Sequence, residues 1–120
     1  MGSAALLDER PCSMADTAFH ATVERAREAP KLGLAALLLS HGSMELEYYA
    51  PRGRDSQMPH DRDELYIVIS GQGWFRNGED RHEFGPGDVM FVPAKVEHRF
   101  EQFSDDFATW VIFWGPKGGE

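Results

Sequence analysis

The feature that most constrains the fold is a series of short apolar segments, separated by turn residues, that begins near residue 31. The segments include "LAALLLS", "MELEYYA", "LYIVIS", "VMFVP" and "ATWVIFW", and Gly, Pro, Asn and Asp lie between them. The stretch "GWFRNGEDRHEF" contains Asn77-Gly78, a dipeptide typical of a β-hairpin turn. Seven or eight short strands joined by such turns predict an all-β sandwich or barrel.

The N-terminal part of the chain follows a different pattern. Residues 1–15 mix Ser, Pro, Ala and Asp, which predicts a flexible arm. The next segment, "ADTAFHATVERAREAP", predicts a helix of about three turns, with Asp16 or Thr17 as its N-cap and Pro30 as its end. Its apolar residues recur at helical spacing: Phe19, Val23 and Ala26. We therefore expect one domain over residues 16–120 that includes this helix, with "GPKGGE" as a loose tail.

The charge of the chain excludes some classes of partner. Twelve Lys and Arg against twenty Asp and Glu give a formal net charge of −8, without the basic patch that a nucleic-acid binder needs. The apolar stretch "LGLAALLL" is too short to cross a bilayer, so no membrane partner is expected. Cys12 is the single cysteine, which excludes an intrachain disulfide. These features favour a cytoplasmic protein.

Several of the predicted strands are apolar on both faces. In "LYIVI", Tyr66 and Val68 share a face with Glu64, while the opposite face carries Leu65, Ile67 and Ile69. A small barrel needs an apolar surface only on its inner face, so its outer face has to be covered. The N-terminal helix would cover part of it, and a homodimer interface would cover the rest.

A candidate metal site precedes the strand "LYIVIS". His60 and Glu64 are four residues apart, and His98 begins a later strand-like segment. Imidazole and carboxylate together suit Fe(II), Mn(II), Ni(II) or Zn(II), and two histidines with one carboxylate form many open iron sites. Without further context, the same residues are more often part of a solvated loop before a strand.

Two motifs within residues 53–102 resemble those of the cupin family. "HDRDELYIVISG" matches the later part of the first motif, in which His, Glu and Gly follow one another at fixed spacing. "GDVMFVPAKVEH" matches the second motif, which ends in His98, and fifteen residues separate the two. The resemblance implies a double-stranded β-helix, or jelly-roll, barrel. It also implies one divalent ion, Fe, Mn, Ni or Zn, held inside by His60, Glu64 and His98.

The sequence departs from the family pattern at three positions. Met58 stands where the family has its first histidine, Lys95 replaces a glycine, and Gln102 replaces an asparagine. The fourth ligand is therefore Gln57, Met58 or water. A thioether suits Cu(I), whereas the amide oxygen of Gln57 suits the harder ions above, and a bulge at Pro59 would bring that oxygen into the site. We favour Gln57.

Aromatic side chains are the candidates for the wall of a substrate pocket. The prediction places four of them on inward faces near the metal: Tyr66, Phe91, Phe100 and Trp110. Each of these residues is also a reasonable member of the hydrophobic core.

The function implied by the resemblance is that of a small metal-dependent enzyme, with dioxygenase-like chemistry favoured over isomerase or lyase chemistry. Its substrate would be a small oxygen-rich or acidic organic molecule. The alternative is a non-catalytic barrel that binds a small molecule, with a structural metal or none. The fold by itself does not choose between these functions.

Overall fold

The computed structural model describes residues 13–14, 18–31 and 34–120, and this part of the chain forms nine strands and one helix. The helix is α1 (Val23–Glu28). The strands are β1 (Ser13–Met14), β2 (Ala35–His41), β3 (Met44–Tyr49), β4 (Asp63–Ser70), β5 (Gly73–Asn77), β6 (Asp80–Phe84), β7 (Val89–Val92), β8 (His98–Glu101) and β9 (Ala108–Trp114). The all-β fold with a short helix near its N-terminus is confirmed. Most of the predicted N-terminal arm, Cys12 and both predicted N-cap residues lie outside the described residues. The described part of the arm, Ser13–Met14, is β1 and pairs with β2.

The strands form two sheets. One has the order β1-β2-β3-β9-β4-β7, and the other has the order β6-β5-β8. The short strand β1 runs parallel to β2, and the remaining pairings among the described strands are antiparallel. Strands β5 and β6 pair up to Asn77 opposite Asp80, which confirms the predicted hairpin. The sheets face each other as expected for a jelly-roll barrel.

The main core lies between the two sheets and is rich in aromatic rings. Tyr66 on β4 contacts Phe75 on β5 and Phe100 on β8, with ring centroids 5.6 and 4.9 Å apart. Phe107 closes the far end of this core, 4.6 Å from Phe100. Alternation along β4 directs Tyr66 and Val68 inward, as the sequence predicted. The deep part of the barrel is therefore filled with side chains.

Helix α1 is shorter than the sequence predicted. Thr22 has an extended backbone and its side chain accepts a hydrogen bond from the Arg25 amide, so the helix begins after Thr22. It ends before Ala29, which is also extended, as expected for a residue that precedes proline. Ala26 is fully buried against the outer face of the six-stranded sheet, near Tyr48. The helix thus covers part of that face, as predicted.

The rest of the outer face remains apolar beyond the helix. Strand β7 lies at the edge of the sheet, and Val89 and Phe91 are 59% and 48% exposed there. Their neighbours across the strands are also apolar: Leu65, Ile67, Ile112 and Trp114. The predicted homodimer stays a prediction, and this is the surface where we expect it. No helix in the described part of the chain is long and apolar enough to span a membrane.

The C-terminal segment is attached to the barrel, so the prediction of a loose tail is wrong. The amide of Gly118 donates to the Asp61 carbonyl at 2.6 Å, and the amide of Glu120 donates to the Asp63 carboxylate at 3.2 Å. Asp63 is buried and also accepts from the Ala94 amide at 2.9 Å. This carboxylate therefore holds three chain segments together next to the residues that begin β4.

Gly71 is required by a close approach between two segments of backbone. Its φ is +88°, and a Cβ atom added there would lie 2.5 Å from the Cα of Phe107. Gly87 has nearly the same φ, +87°, but a Cβ there would meet nothing within 4 Å. An alanine at position 87 would therefore carry only the cost of the backbone conformation, whereas an alanine at position 71 would also carry the cost of a steric clash.

We predict that Gly71→Ala lowers the free energy of unfolding by about 3 kcal/mol or more, and that Gly87→Ala lowers it by about 1 kcal/mol. Both variants carry the cost of a left-handed conformation, and only Gly71→Ala adds the overpacking against Phe107. Urea denaturation followed by fluorescence measures both values. Equal losses in the two variants would contradict the clash at residue 71.

Candidate metal centre

Glu64 and His98 face each other across the interior of the barrel. Glu64 lies near the start of β4, on the inner face, and His98 begins β8 on the opposite sheet. The Nε2 atom of His98 lies 3.5 Å from Oε1 of Glu64, longer than an ordinary hydrogen bond. Both carboxylate oxygens and this nitrogen are buried without a hydrogen-bond partner among the described residues. Buried polar atoms without partners are rare, and each calls for an explanation.

His60 completes the cluster from the loop before β4. Its Nε2 lies 3.7 Å from Oε2 of Glu64, and its ring contacts Phe113 at a centroid distance of 5.0 Å. The three ligand atoms of His60, Glu64 and His98 all lie within 4.8 Å of one another. Donor atoms bound at about 2.0–2.2 Å to one ion lie about 2.8–3.6 Å apart. The cluster therefore has nearly the dimensions of a coordination shell.

The donor set fits a divalent ion in its chemistry as well. The Nδ1 atom of His98 lies 2.9 Å from the Val96 carbonyl, which assigns the ring hydrogen to Nδ1 in a neutral imidazole and leaves Nε2 free to bind a metal. A metal ion would also compensate the buried carboxylate of Glu64. The residues present thus fit the metal that the resemblance implies. Which ion binds is not specified by this donor set.

Gln57 lies beside this cluster with its amide oxygen directed toward it. Its Oε1 is 3.1 Å from Nε2 of His60 and accepts a hydrogen bond from the Tyr66 hydroxyl at 3.2 Å. Met58, by contrast, is 73% exposed. The loop therefore presents the amide oxygen and not the thioether to the site. Ligation by Gln57 stays a prediction.

Asp55 fixes the orientation of Gln57, and sequence reasoning missed it. One of its carboxylate oxygens accepts from the amide group of Gln57 at 2.8 Å and from the backbone amide of Phe100 at 2.9 Å. The other accepts from the Tyr49 hydroxyl at 2.5 Å and from the backbone amide of Gln57. These bonds leave the Gln57 oxygen free to face His60. Nothing in the sequence distinguishes Asp55 from the other loop aspartates, because its partners come from distant strands.

The protonation of the cluster follows from burial and charge. Burial is the main cause that lowers the pKa of His60. The Glu64 carboxylate raises this pKa, whereas the neighbouring His98 ring lowers it. Burial alone would lower the pKa of His98 as well, but the adjacent Glu64 carboxylate and the Val96 carbonyl outweigh it, so that pKa is raised. Because the pKa of His98 is raised, a proton on its ring competes with a metal ion for this site. Metal binding replaces that proton and weakens as the pH falls.

Two of the four predicted pocket residues lie on the wrong side of the sheet. Phe91 pairs with Leu65, and Trp110 pairs with Ile67, so both face outward. Trp110 packs against the cluster under α1, and Phe91 contacts Trp114. The prediction that they line the interior is therefore wrong, because the sequence alternation does not say which face of β7 or β9 is the inner one.

The other two predicted pocket residues do face inward. The ring of Tyr66 lies 5.9 Å from that of His98, and Phe100 lies behind it in the core. Burial is the largest of the causes that raise the pKa of Tyr66 well above its usual value, so its hydroxyl stays protonated. Contact of either residue with a substrate stays a prediction.

Lys95 keeps a backbone conformation that glycine normally provides. Its φ is +71°, and its amide donates to the His60 carbonyl at 2.6 Å. Gln102 likewise has a positive φ of +50°. Two positions at which the sequence departs from the expected motif therefore carry strained backbones. At Lys95 the strained segment helps to hold the loop that bears His60.

Comparison with known proteins agrees with this architecture. Residues 45–114 match the family described as "Cupin domain". A protein of Streptomyces coelicolor described as "Uncharacterized protein SCO3923" is 33% identical over 102 residues, which cover 83% of this chain and 97% of that protein. A cupin superfamily protein from Desulfitobacterium hafniense superposes with a TM-score of 0.62 at 15% identity, covering 87% of this chain and 99% of the other.

A further match is confined to part of the chain. It joins 48 residues, 40% of this chain, to 11% of the mannose-6-phosphate isomerase of Cryptococcus neoformans, at 42% identity. The chain therefore spans only a small fraction of that enzyme.

We predict that His98→Ala abolishes metal binding while the barrel stays folded. The substitution removes one of two buried donors, and the remaining aromatic core still joins the sheets. Elemental analysis of protein purified without chelator should fall from about one ion per chain to below about a tenth of that. His82→Ala, at an exposed position of β6, is the matched control. Metal at the unchanged stoichiometry in His98→Ala would contradict this site.

We also predict that Gln57→Ala weakens metal binding by about tenfold or more, whereas Met58→Ala changes it little. Only the Gln57 oxygen faces the cluster. Competition with a fluorescent chelator measures both affinities. The reverse order of effects would show that the thioether is the ligand.

Proposed function

This chain belongs to the cupin family, and from that membership we propose that it is an enzyme dependent on one divalent metal ion. The ion is held by His60, Glu64 and His98, with Gln57 as the fourth ligand. The observation that carries the proposal is the fully buried carboxylate of Glu64, which has no hydrogen-bond partner among the described residues. A carboxylate in that position is costly to bury unless a cation compensates it.

The proposed reaction is the interconversion of a hydroxy aldehyde and a hydroxy ketone of a sugar or sugar-like substrate. When bound, the metal supplies a Lewis acid that polarises a carbonyl oxygen. Two imidazoles with two oxygens, one of them a neutral amide, suit an ion such as Zn(II) or Mn(II). The partial likeness to mannose-6-phosphate isomerases, 42% and 40% identical over 48 residues, supports the same class of reaction.

The burial of the ligands indicates where a substrate enters. The side chain of His60 is 33% exposed, whereas those of Glu64 and His98 are almost fully buried. On the deep side, Tyr66 and Phe100 fill the space between the sheets. A small molecule therefore reaches the ligands past His60, and this side of the cluster is called the entrance below.

Dioxygenase chemistry, which the sequence favoured, is the second candidate. Two histidines and one carboxylate with open positions suit non-haem Fe(II) and dioxygen. With Gln57 as a fourth ligand, a six-coordinate iron would keep two open positions instead of three. The fixed orientation of Gln57 by Asp55 is why we place isomerisation first.

The isomerase proposal predicts metal-dependent formation of fructose 6-phosphate from mannose 6-phosphate. The protein would be stripped, reloaded separately with Zn, Mn, Ni or Fe, and incubated with mannose 6-phosphate, glucose 6-phosphate and the unphosphorylated aldoses. Proton NMR would follow the products, and chelation should lower the rate at least about 100-fold because the carbonyl is no longer polarised. The matched control is His98→Ala.

Three results would contradict the proposal. Failure of every metal-loaded form to isomerise any of these sugars would exclude the proposed reaction. Consumption of dioxygen by the iron-loaded protein, without isomerisation, would instead favour the second candidate. A protein that takes up no metal would move the non-catalytic binding barrel to first place.

A further inference from the structure

Glu47 lies on the inner face of the sheet that carries Glu64. In the register of the sheet, Glu47 on β3 is opposite Val111 on β9, and Val111 is opposite Tyr66 on β4. Two residues further along these strands, Glu45 is opposite Phe113, and Phe113 is opposite Glu64. Since alternate residues share a face, Glu47 points into the same space as Glu64 and Tyr66. β3 and β4 are two strand spacings, about 10 Å, apart.

The strand that carries Glu47 also lies beside the loop that bears His60, at the entrance. His60 packs on Phe113 of β9, and Arg62, two residues later, forms an ion pair of 2.6 Å with Glu45 of β3. The loop that carries the exposed ligand therefore runs beside β3, the strand that carries both Glu45 and Glu47. A substrate that passes His60 to reach the ligands enters the space that Glu47 faces.

The surroundings of Glu47 are unusual for a carboxylate that only contacts solvent. Glu47 is partly buried. The residues level with it across the inner face of the sheet are apolar or aromatic: Leu37, Val111, Tyr66 and Met90. Its carboxylate has no hydrogen bond or ion pair among the described residues. Burial raises the pKa of Glu47, and the charges of Glu45 and Glu64 raise it further, while Arg62 lowers it. Such a carboxylate exchanges protons more readily near neutral pH than an ordinary glutamate.

We propose that Glu47 is the catalytic residue that carries the proton between the two carbons of the substrate, an inference that rests on the isomerase reaction proposed above. The Glu47 carboxylate takes the proton from the carbon next to the aldehyde, and the electron pair of that C–H bond forms a carbon–carbon double bond. The hydroxyl proton moves to the former aldehyde oxygen. Glu47 then returns its proton to the first carbon, which leaves a ketone. No oxidant or reductant is consumed.

Glu47→Gln tests this role because it keeps the shape of the side chain and removes its ability to accept a proton. Glu45→Gln is the charge-matched control, since it removes one negative charge from the same face of the same strand. With metal-loaded protein in D2O and mannose 6-phosphate, proton NMR would measure both product and deuterium at the exchanging carbon. We expect Glu47→Gln to lose at least about 100-fold in kcat with KM changed by less than about threefold. Glu45→Gln should lose less than about tenfold.

A second measurement does not depend on any substrate. Carbon NMR of protein labelled at its glutamate carboxyls, with the Glu47 signal assigned by its loss in Glu47→Gln, would give the titration of Glu47 with and without bound Zn. A divalent ion at Glu64 should lower the pKa of Glu47 by about one pH unit, whereas exposed Glu83 should not respond. Elemental analysis should show unchanged metal content in Glu47→Gln.

The outcomes separate the two proposals. Loss of exchange in Glu47→Gln, with metal content retained and Glu45→Gln active, supports the role of Glu47. Full exchange in Glu47→Gln overturns it and leaves the isomerase proposal standing. If the pKa of Glu47 is the same with and without the bound ion, the proposed role of Glu47 is also overturned, because Glu47 would then not face the site. If the pKa of Glu47 in the wild-type protein changes on metal binding but no sugar exchanges its proton, the isomerase proposal is overturned. The proton-carrying role of Glu47 is then overturned as well.

Discussion

The site depends on the complete burial of one carboxylate, Glu64, opposite a buried imidazole, His98. Removing an ionised carboxylate from water costs on the order of several kcal/mol even after the protein relaxes, and neither oxygen has a hydrogen-bond donor among the described residues. Among the described residues, the ring nitrogens of His60 and His98 lie 3.7 and 3.5 Å from the Glu64 oxygens. An apolar residue of similar size would be cheaper to bury at this position. The barrel therefore carries a local cost that an ion held between the sheets would offset.

The surroundings of the cluster show how the fold maintains this costly arrangement. Asp55 joins the loop before β4 to Tyr49 on β3 and to the backbone of β8, and through the Gln57 amide it fixes the oxygen that faces His60. Asp63 does the same on the other side of His60, where it binds the amide of Ala94 and the C-terminal segment. Two buried aspartates thus hold a loop that has no regular structure of its own. Rigid support of this kind keeps a ligand set in place before an ion binds.

The interior also divides into a filled half and an open half. Aromatic rings from both sheets pack the part below Tyr66, so that side contributes stability and no binding space. Polar and charged groups collect on the entrance side, where Arg62 pairs with Glu45 beside His60. Glu47 faces the interior from the same strand as Glu45. This asymmetry follows from the strand sequences. In β3, "MELEYY", acidic residues alternate with apolar ones, whereas β4 has one inward carboxylate, Glu64, near its start. The chemistry of the barrel is therefore confined to one end.

Alternation and turn residues in the sequence are enough to predict the all-β fold and the hairpin at Asn77-Gly78. The three converging ligands were implied by the resemblance to the cupin family. The sequence did not determine which faces of β7 and β9 are inward, so Phe91 and Trp110 were misplaced. The choice of Gln57 over Met58, the support from Asp55 and the position of Glu47 depend on contacts between segments that are far apart in sequence. Only the tertiary structure decides these, because strand register and the path of an irregular loop are set by packing across the whole barrel and not by local pattern.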